Sequence, residues 1–329
     1  MASRFTAARE ETRTEHVQRV LRVIVHIEDR LDGPLGLEAM ARRARMSPFH
    51  FQRVFRGIVG ESPSAFARRI RLERAAASLR CGETQKRCAA VAGFARVEPF
   101  SRAFRRRFGQ PPGSWRAAAP HRAAGAFPRE LRLWVNRPGP DAQMCFLPVP
   151  AAAASARGRG LLRVDRLPAL RVAFLRRVGD DRGDADDFAQ LCRFAAHERW
   201  PAEEPMFLRL RHDDPVITPA ERRRVDRCVA VGPRRRGDGE IGIRTLPSGD
   251  YVVATHEGSR GSLERFARWM EGAAREQLRT ARRPGPRVEI PLDDPRGRGA
   301  RVRLTDVLIP VQPGPTAARW YWRRRRPLP

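Results

Sequence analysis

The second half of the chain contains an internal repeat, which limits its fold more than any other sequence feature. Three landmarks recur at one common offset of 80 residues, which chance rarely produces three times. The landmark pairs are Val172-Ala173-Phe174 with Val252-Val253-Ala254, Asp213-Asp214-Pro215 with Asp293-Asp294-Pro295, and Asp226 with Asp306. The offset predicts two homologous halves packed about a pseudo-twofold axis, because neither half has enough apolar surface to fold well alone.

Each copy of the repeat is predicted to form a strand, a helix and two further strands. Between the first two landmarks of each copy, apolar residues recur at helical spacing, at about Asp186–His197 in the first copy and Leu263–Leu278 in the second. We therefore expect residues 161–315 to form an α+β domain built from two strand-helix-strand-strand repeats.

Residues 16–116 are predicted to be helical throughout, and the sequence itself marks where two of the helices start. Ser47-Pro48 and Ser62-Pro63 each combine a favourable N-cap with a proline at the first helical position. The apolar spacing predicts one helix after Ser47 and a long helix over about 64–80. The residues expected to face inward on the first of these are Phe51, Val54, Phe55 and Ile58.

A second unit with the same order of elements follows. A short helix over about 84–92 precedes Gly93, which favours a turn, and then a helix over about 97–108. Two units of short helix, turn and helix are thus joined by one long helix, and each has the form of a helix-turn-helix. An ordinary helical bundle is the alternative, but it does not explain outward faces rich in Gln, Arg and His. We predict an all-α double helix-turn-helix domain over residues 16–118.

The net charge of +28 favours a polyanionic partner. Lys86 is the only lysine, and arginine, alanine and proline are all abundant. This bias is typical of a GC-rich coding sequence, so part of the charge has no functional cause. Residues 1–122 nevertheless carry 25 Arg and Lys against 11 Asp and Glu, a higher charge density than in the rest of the chain. The charge therefore favours a nucleic-acid-binding surface in the first third.

Several other classes of protein are disfavoured by the sequence. The five cysteines form no C-x-x-C pair and have no histidine at zinc-finger spacing, so we expect buried thiols, no metal and no cofactor. No apolar run reaches the ~20 residues that cross a bilayer, and the N-terminus lacks the apolar core of a signal peptide. Phosphate loops and nucleophile motifs are also missing. We expect a cytoplasmic protein that is not an enzyme and does not bind membranes.

Flanking segments complete the predicted domain organisation. Residues 1–15 form an N-terminal extension, and residues 119–160, in which Ala, Pro and Arg dominate, form a linker with short strands expected at 131–135 and 144–147. Residues 316–329 form a basic tail in which Trp320-Tyr321-Trp322 precede four arginines. Such a tail either contacts nucleic acid or frays as an unstructured terminus.

Two long stretches resemble the DNA-binding domain of AraC-family regulators, over about residues 16–116. They are SPFHFQRVFRGIVGESPSAFARRIRLERAA and AGFARVEPFSRAFRRRFGQPPGSWR. A second resemblance, to GyrI-like effector-binding domains, covers about residues 165–312 and is carried by RLPALRVAFLRRVG, HDDPVITPAERRRVDRCVAVG and LPSGDYVVATHEG. That family is a tandem of strand-helix-strand-strand units, in agreement with the repeat. Rob-type regulators share this order of the two domains.

The first resemblance implies that the second helix of each unit lies in a major groove of duplex DNA. Arg can bond guanine, Gln can bond adenine and Phe can meet a thymine methyl group, whereas phosphate contacts position the protein without reading sequence. Glu98 departs from the glutamine that is common at its position. The implied base contacts are Phe49, Gln52, Arg53, Glu98 and Arg102, and the implied phosphate contacts are Ser47, Arg96, Arg105 and Arg106. A solvated helix face is the alternative.

The long helix is expected to hold the two reading helices ~34 Å apart, about one DNA turn, so that a monomer reads two successive major grooves. In the short helix of the second unit, Gln85 and Cys88 stand where the family usually has aliphatic residues. We therefore expect a looser core and less strict base reading there.

The GyrI-like resemblance implies a cleft between the two halves that binds apolar or cationic small molecules. Glu289 matches the buried glutamate that meets the positive charge of the ligand, whereas Pro291 stands where an aromatic residue is usual. The other candidate cleft residues are Phe174, Tyr251, His256 and Trp269. Each of these is also consistent with a place in the core.

Together these features predict a sequence-specific, DNA-binding transcriptional regulator whose activity is modulated by a small molecule at the C-terminal domain. The expected partners are double-stranded DNA, RNA polymerase and the small-molecule effector. One alternative is a GyrI-like hydrolase of a small toxic compound fused to a DNA-binding module. Another is a nonspecific architectural DNA-binding protein, whose affinity would fall steeply with salt and show no preferred site.

Overall fold

The computed structural model describes residues 2–117, 132–135, 145–147, 162–179, 183–196, 205–277, 282–292, 295–296, 303–313 and 319–320. The chain divides into two compact units. The first, the helical unit, contains the described residues up to Ala117 together with 213–223 and 236–243. The second, the sheet unit, contains the remainder. No helix within these ranges has both the length and the apolar character needed to span a membrane.

The described part of the helical unit contains seven helices, of which the second to the sixth give the predicted order of two helix-turn-helix units joined by a long helix. The seven helices are α1 (Ala2–Asp29), α2 (Leu37–Ala44), α3 (Pro48–Val59), α4 (Pro63–Arg80), α5 (Gln85–Val91), α6 (Val97–Phe108) and α7 (Pro112–Ala117). The hydroxyls of Ser47, Ser62 and Thr84 each accept a hydrogen bond from the backbone three residues on, so they cap α3, α4 and α5. Helix α1 begins at Ala2, so the segment predicted as an N-terminal extension is part of this helix.

Helix α4 belongs to two hydrophobic cores at once. Its first half packs Phe66 and Ile70 against α1, α2 and α3, and its second half packs Leu72 and Leu79 against α5 and α6. A helix of 18 residues is ~27 Å long, so α4 provides one rigid element for both helix-turn-helix units. The two units therefore share a frame as well as a repeated pattern.

The prediction that Ile58 of α3 faces the core is wrong. Phe51 and Phe55 are fully buried and Val54 packs against the core, but Ile58 is 42% exposed. Helix α3 ends at Val59, which packs against the core in its place. In the second unit Cys88 is fully buried in the core with Phe100 and Phe104.

Two further segments pack within the helical unit. Ile217, in segment 213–223, is 7% exposed and belongs to the core of α4, α5 and α6. In segment 236–243, the backbone oxygens of Gly239 and Ile241 accept hydrogen bonds from Gln18 Nε2 at 2.7 and 2.9 Å. These contacts join distant parts of the sequence to α1 and α4.

The strands form one sheet in which the two repeats lie side by side. Its order is β11-β3-β8-β10-β9-β5-β6-β4-β7, and β1 pairs with β2 and β8. The strands are β1 (Arg132–Val135), β2 (Cys145–Leu147), β3 (Arg163–Leu167), β4 (Leu170–Val178), β5 (Phe207–Arg211), β6 (Arg224–Ala230), β7 (Ile241–Leu246), β8 (Gly249–Gly258), β9 (Arg287–Pro291), β10 (Arg303–Val311) and β11 (Arg319–Trp320). Strands β1 and β2 confirm the two short strands expected within the linker.

The predicted strand-helix-strand-strand order is confirmed in both copies. The first copy is β4, α8 (Asp184–Phe194), β5 and β6, and the second is β8, α9 (Arg260–Gln277), β9 and β10. The copies meet where β5 and β9 pair. The landmark Asp293-Asp294 lies outside the described residues, as does most of the predicted tail.

Both helices cover the same face of the sheet. Phe188 of α8 contacts Phe207 of β5, with ring centroids 5.1 Å apart. Phe266 and Met270 of α9 pack in one core with Val307 of β10. Directly paired residues share a face and successive residues along a strand point to opposite faces, so the register of the strands assigns every other side chain to this helix-covered face.

Candidate nucleic-acid interface and ligand cleft

Helix α3 presents an exposed polar face next to its N-terminus. Phe49 is 79% exposed, and Gln52 and Arg53 are also exposed, on the side away from the buried Phe51 and Phe55. The exposed ring of Phe49 adds an apolar group to this otherwise polar face. Ser47 is exposed, and its hydroxyl accepts from the backbone N–H of His50 at 3.4 Å.

Helix α6 presents the corresponding face in the second unit. Its inward side carries Phe100 and Phe104, which are fully buried. The candidate residues Arg96, Glu98, Arg102, Arg105 and Arg106 are all exposed. The four arginines outnumber the single carboxylate on this side of α6. Arginine side chains are common ligands of DNA phosphates, so this face has the charge that a phosphate backbone requires.

An ion network fixes α6 relative to α3 within the helical unit. Glu61, in the turn after α3, accepts from Arg69 Nε and Nη2 at 2.9 and 2.7 Å. Arg69 also donates to Glu73 at 3.2 Å, and the second oxygen of Glu73 accepts from Arg107 of α6 at 2.7 Å. Arg69 and Glu73, at the centre of the network, are buried, so salt screens their ion pair less than it screens an exposed pair. Arg107 therefore differs from the exposed arginines next to it on α6, because it is held by an ion pair within the protein.

A histidine pair beside α3 was not predicted from the sequence. The rings of His16 in α1 and His50 in α3 lie 5.3 Å apart, and Arg53 Nη2 lies 3.4 Å from His50 Nδ1. Burial lowers the pKa of His16, and the nearby His50 and Arg19 lower it further. The i, i+3 spacing of His50 and Arg53 was visible in the sequence, but the approach of His16 depends on tertiary packing.

The candidate cleft residues fall on two different faces of the sheet. Glu289 pairs with Val307, and Val307 pairs with Ala254, so Ala254 lies on the same face of the sheet as Glu289. His256, two residues after Ala254, shares this face, whereas Tyr251, three residues before Ala254, lies on the other face. On the other side of Glu289, Arg209 pairs with it, Arg227 pairs with Arg209, and Leu175 pairs with Arg227, so Leu175 shares the face of Glu289. Phe174, the residue before Leu175, therefore lies on the opposite face. Trp269 lies on α9, which covers the Glu289 face. The structure therefore brings Glu289, His256 and Trp269 to one face and separates Phe174 and Tyr251 from them.

Glu289 is fully buried and held between arginines. Its Oε1 accepts from Arg211 Nε and from Arg287 Nη2, both at 2.9 Å. Burial alone would raise the pKa of this carboxyl group, but Arg211, Arg287 and Arg209 lower it from the usual 4.5 to about 2. Glu289 is therefore ionised and already paired at neutral pH.

His256 is neutral on the same face. Its Nε2 lies 3.0 Å from the hydroxyl of Ser262, and its ring packs on Phe266 with centroids 5.3 Å apart. Burial is the main cause that lowers its pKa from 6.5 to about 4, while the negative charge of Glu289 acts in the opposite direction. The charge on this face at neutral pH thus comes from arginines and carboxylates.

The repeat landmarks Asp226 and Asp306 are structural anchors on the opposite face. Asp226 is fully buried and accepts from Arg176 Nε at 2.6 Å and Nη2 at 2.8 Å, with His212 2.8 Å away. These partners hold the pKa of Asp226 well below its usual value despite its burial. Asp306 accepts from the hydroxyl of Thr255 at 2.5 Å. Neither aspartate faces the side of Glu289.

Comparison with known families divides the chain in the same way. The helix-turn-helix domain family matches residues 40–118, and the GyrI-like small molecule binding domain family matches residues 162–312. The first range contains α3 and α6 with their exposed faces. The second contains both copies of the repeat and Glu289.

Relatives among well-characterised proteins include one of nearly full length. Transcriptional regulator Rob of Salmonella typhimurium is 26% identical over 300 residues, which covers 88% of this chain and 96% of that protein. Regulatory protein SoxS of the same species is 31% identical over 102 residues, covering 31% of this chain and 95% of SoxS. Among solved structures, the DNA-binding domain of AdpA in complex with a target DNA is 27% identical, covers 31% of this chain and 92% of that chain, and gives a TM-score of 0.30.

Proposed function

We infer that this chain is a DNA-binding transcriptional regulator that combines an AraC-type helix-turn-helix domain with a GyrI-like small-molecule-binding domain. The main supporting observation concerns α3 and α6. Each of these helices packs one face against a hydrophobic core and exposes the other, and the two cores share α4. Each helix exposes arginines and, on α3, a glutamine and a phenylalanine. These side chains match the chemistry of base edges in a major groove.

We propose that Arg53 and Arg102 read bases, together with Phe49, Gln52 and Glu98. Arg96, Arg105, Arg106 and Ser47 are proposed to bind phosphates. Electrophoretic mobility shifts with promoter fragments test this division. Arg53→Ala is expected to weaken binding by ~1–3 kcal/mol and to relax preference at one base pair.

Arg106→Ala is the matched control, because it removes the same side chain from a position assigned to phosphate. It should weaken binding about equally for all sequences and reduce the salt slope by about 1. Unchanged affinity and selectivity of Arg53→Ala would show that α3 does not read bases in this way. Steep salt dependence without any preferred site would favour an architectural protein instead.

We propose that a small molecule bound by the sheet unit modulates DNA binding. A ligand can do so only if it favours one conformation over another. Segments 213–223 and 236–243 pack within the helical unit and are continuous in the chain with strands β5, β6 and β7. Gln18→Ala removes two hydrogen bonds to the second segment and should reduce the effect of a ligand on DNA affinity, while ligand-free affinity stays the same.

RNA polymerase is the proposed second partner, because a transcriptional regulator that binds a promoter acts on initiation by the polymerase. In vitro transcription from a bound promoter should change in rate when the chain is added. Arg53→Ala should reduce that change in proportion to its loss of DNA affinity. A change that persists without binding would contradict the proposal.

A hydrolase is less consistent with the environment of Glu289. A general acid or base works best with a pKa near the working pH, whereas the arginines hold the pKa of Glu289 at about 2. We therefore propose that the chain is not an enzyme. Turnover of a small electrophile by the full chain, abolished in Glu289→Gln, would overturn this.

A further inference from the structure

We propose that the candidate cleft of the sheet unit, at Glu289 and the arginines around it, takes a small organic anion that also carries a hydrogen-bond donor, and that it discriminates against cations. The proposal rests on the proposed function, because it names the chemical class of effector for the same domain. It starts where the two repeats meet. There β5 and β9 pair with Arg209 opposite Glu289 and Arg211 opposite Arg287, so these four side chains share the helix-covered face.

The negative charge of Glu289 is already shared with two arginines. One of its oxygens already accepts from two guanidinium groups, those of Arg211 and Arg287, at 2.9 Å each. A cation placed beside Glu289 would approach these two positive charges in a region of low dielectric constant. Only a cation that carries an N–H or O–H donor could bond the second oxygen of the carboxylate without displacing an arginine.

The surrounding charges add to this positive bias. Asp184 is shared by Arg209 and Arg227, at 2.7 Å each, and Arg260 lies 3.5 Å from it. Asp184 is the first residue of α8 and Arg260 is the first residue of α9, so the N-terminal ends of both helices lie at this cluster. Helix N-termini carry a partial positive charge and favour anions. Arginine forks are also the side chains best suited to carboxylate and phosphate.

Two buried polar atoms indicate what else the ligand carries. Within the described residues, Arg287 Nε and Glu289 Oε2 have no hydrogen-bond partner, and both side chains are more than nine-tenths buried. The N–H of Arg287 needs an acceptor, and the oxygen of Glu289 needs a donor. An anion with an adjacent O–H or N–H supplies both groups, whereas a quaternary ammonium supplies neither.

Isothermal titration calorimetry on the full chain with size-matched probes tests this. The probes are 2-hydroxybenzoate, which has an anion beside a donor, benzoate, which lacks the donor, and benzyltrimethylammonium, which is a cation. We expect 2-hydroxybenzoate to bind at least fivefold more tightly than benzoate, and benzyltrimethylammonium to give no detectable heat. DNA binding of the same preparation is measured in parallel, so failure of the ligand proposal is distinguished from failure of the regulator assignment.

Variants of Arg211 then link binding to the cluster. Arg211→Met should weaken binding of 2-hydroxybenzoate at least tenfold and make binding of benzyltrimethylammonium measurable, because Glu289 loses one of its two partners. Arg211→Lys keeps the charge and loses the planar fork, so it should weaken anion binding without admitting the cation. If Arg211→Met does not fold, the anion affinity of Arg211→Lys tests the proposal in its place. The matched control is Arg166→Met, which removes an arginine that is 51% exposed on β3 and should leave the affinities unchanged.

Three results would each overturn the proposal. The first is binding of benzyltrimethylammonium by the unaltered chain as tightly as either anion. The second is absence of binding by both anions at millimolar concentration while DNA binding is normal. The third is an anion affinity in the folded Arg211 variants equal to that of the unaltered chain.

Discussion

Replacing Glu73 with glutamine should lower the free energy of unfolding of the helical unit and loosen the spacing of α3 and α6, the two proposed reading helices. Glu73 is buried and accepts from Arg69 at 3.2 Å and from Arg107 at 2.7 Å. Removing one partner of a buried ion pair usually costs ~3–5 kcal/mol. Here Arg69 retains Glu61, and Arg107 is 25% exposed and can be hydrated, so we expect a loss of about 2 kcal/mol.

Urea unfolding of the full chain, followed by circular dichroism at 222 nm, measures this loss as a shift in the midpoint of the helical transition. Glu38→Gln is the matched control, because it makes the same chemical change in a pair whose atoms are 3.9 Å apart and whose side chains are both at least 75% exposed. It should produce no measurable shift. Equal shifts in the two variants would refute the argument that burial makes this network important.

The same variant tests how the network acts on DNA binding. Glu73 links the turn after α3 to α6 through its two arginine partners, so its loss should weaken binding to a site with two contacted grooves. Binding to a fragment with only one of them should change much less. If both fragments lose affinity by the same factor, the network contributes to stability alone and does not set the spacing.

Three further predictions concern stability. Arg45 has a φ of 54°, in the left-handed region that costs a non-glycine residue ~1–2 kcal/mol, so Arg45→Gly should raise the melting temperature; a lower melting temperature would contradict this. Phe104→Ala should cost ~3–5 kcal/mol in urea unfolding, because the ring is fully buried against Phe100 and Trp115; a loss below that of a surface substitution would contradict it. The pKa of His256 is lowered to about 4 in the folded state from 6.5, so protonation favours unfolding and stability should fall as pH drops from about 6.5 towards 4. His256→Gln should flatten that fall, and an unchanged pH profile would show that His256 is not its source.

Much of the helical unit could be predicted because its signals are local. Ser47, Ser62 and Thr84 cap helices by hydrogen bonds to residues three positions away, so their spacing in the sequence is enough to place α3, α4 and α5. Ile58 was misplaced because helical periodicity does not show which residue of the last turn reaches the core. The core is completed there by Val59 instead.

The surroundings of Glu289 were harder to predict because the contacts there are distant in sequence. The repeat predicted the strand-helix-strand-strand order and the resemblance pointed to Glu289. The partners of Glu289 follow from the pairing of β5 with β9, which brings Arg211 to it across 78 positions. Strand register also separates Phe174 and Tyr251 from Glu289, and no periodicity within a single strand reveals which strands pair.

The most direct test of the regulator assignment is a footprint of the full chain on a selected DNA site, read by guanine methylation protection in the major groove. One bound monomer should protect two patches on the same face of the duplex, with centres about 10 base pairs apart. At equal occupancy, Arg53→Ala should lose protection of the guanine that it contacts in one patch, and Arg102→Ala should do so in the other. A single protected patch, or two patches on opposite faces, would contradict the assignment of α3 and α6 as paired reading helices.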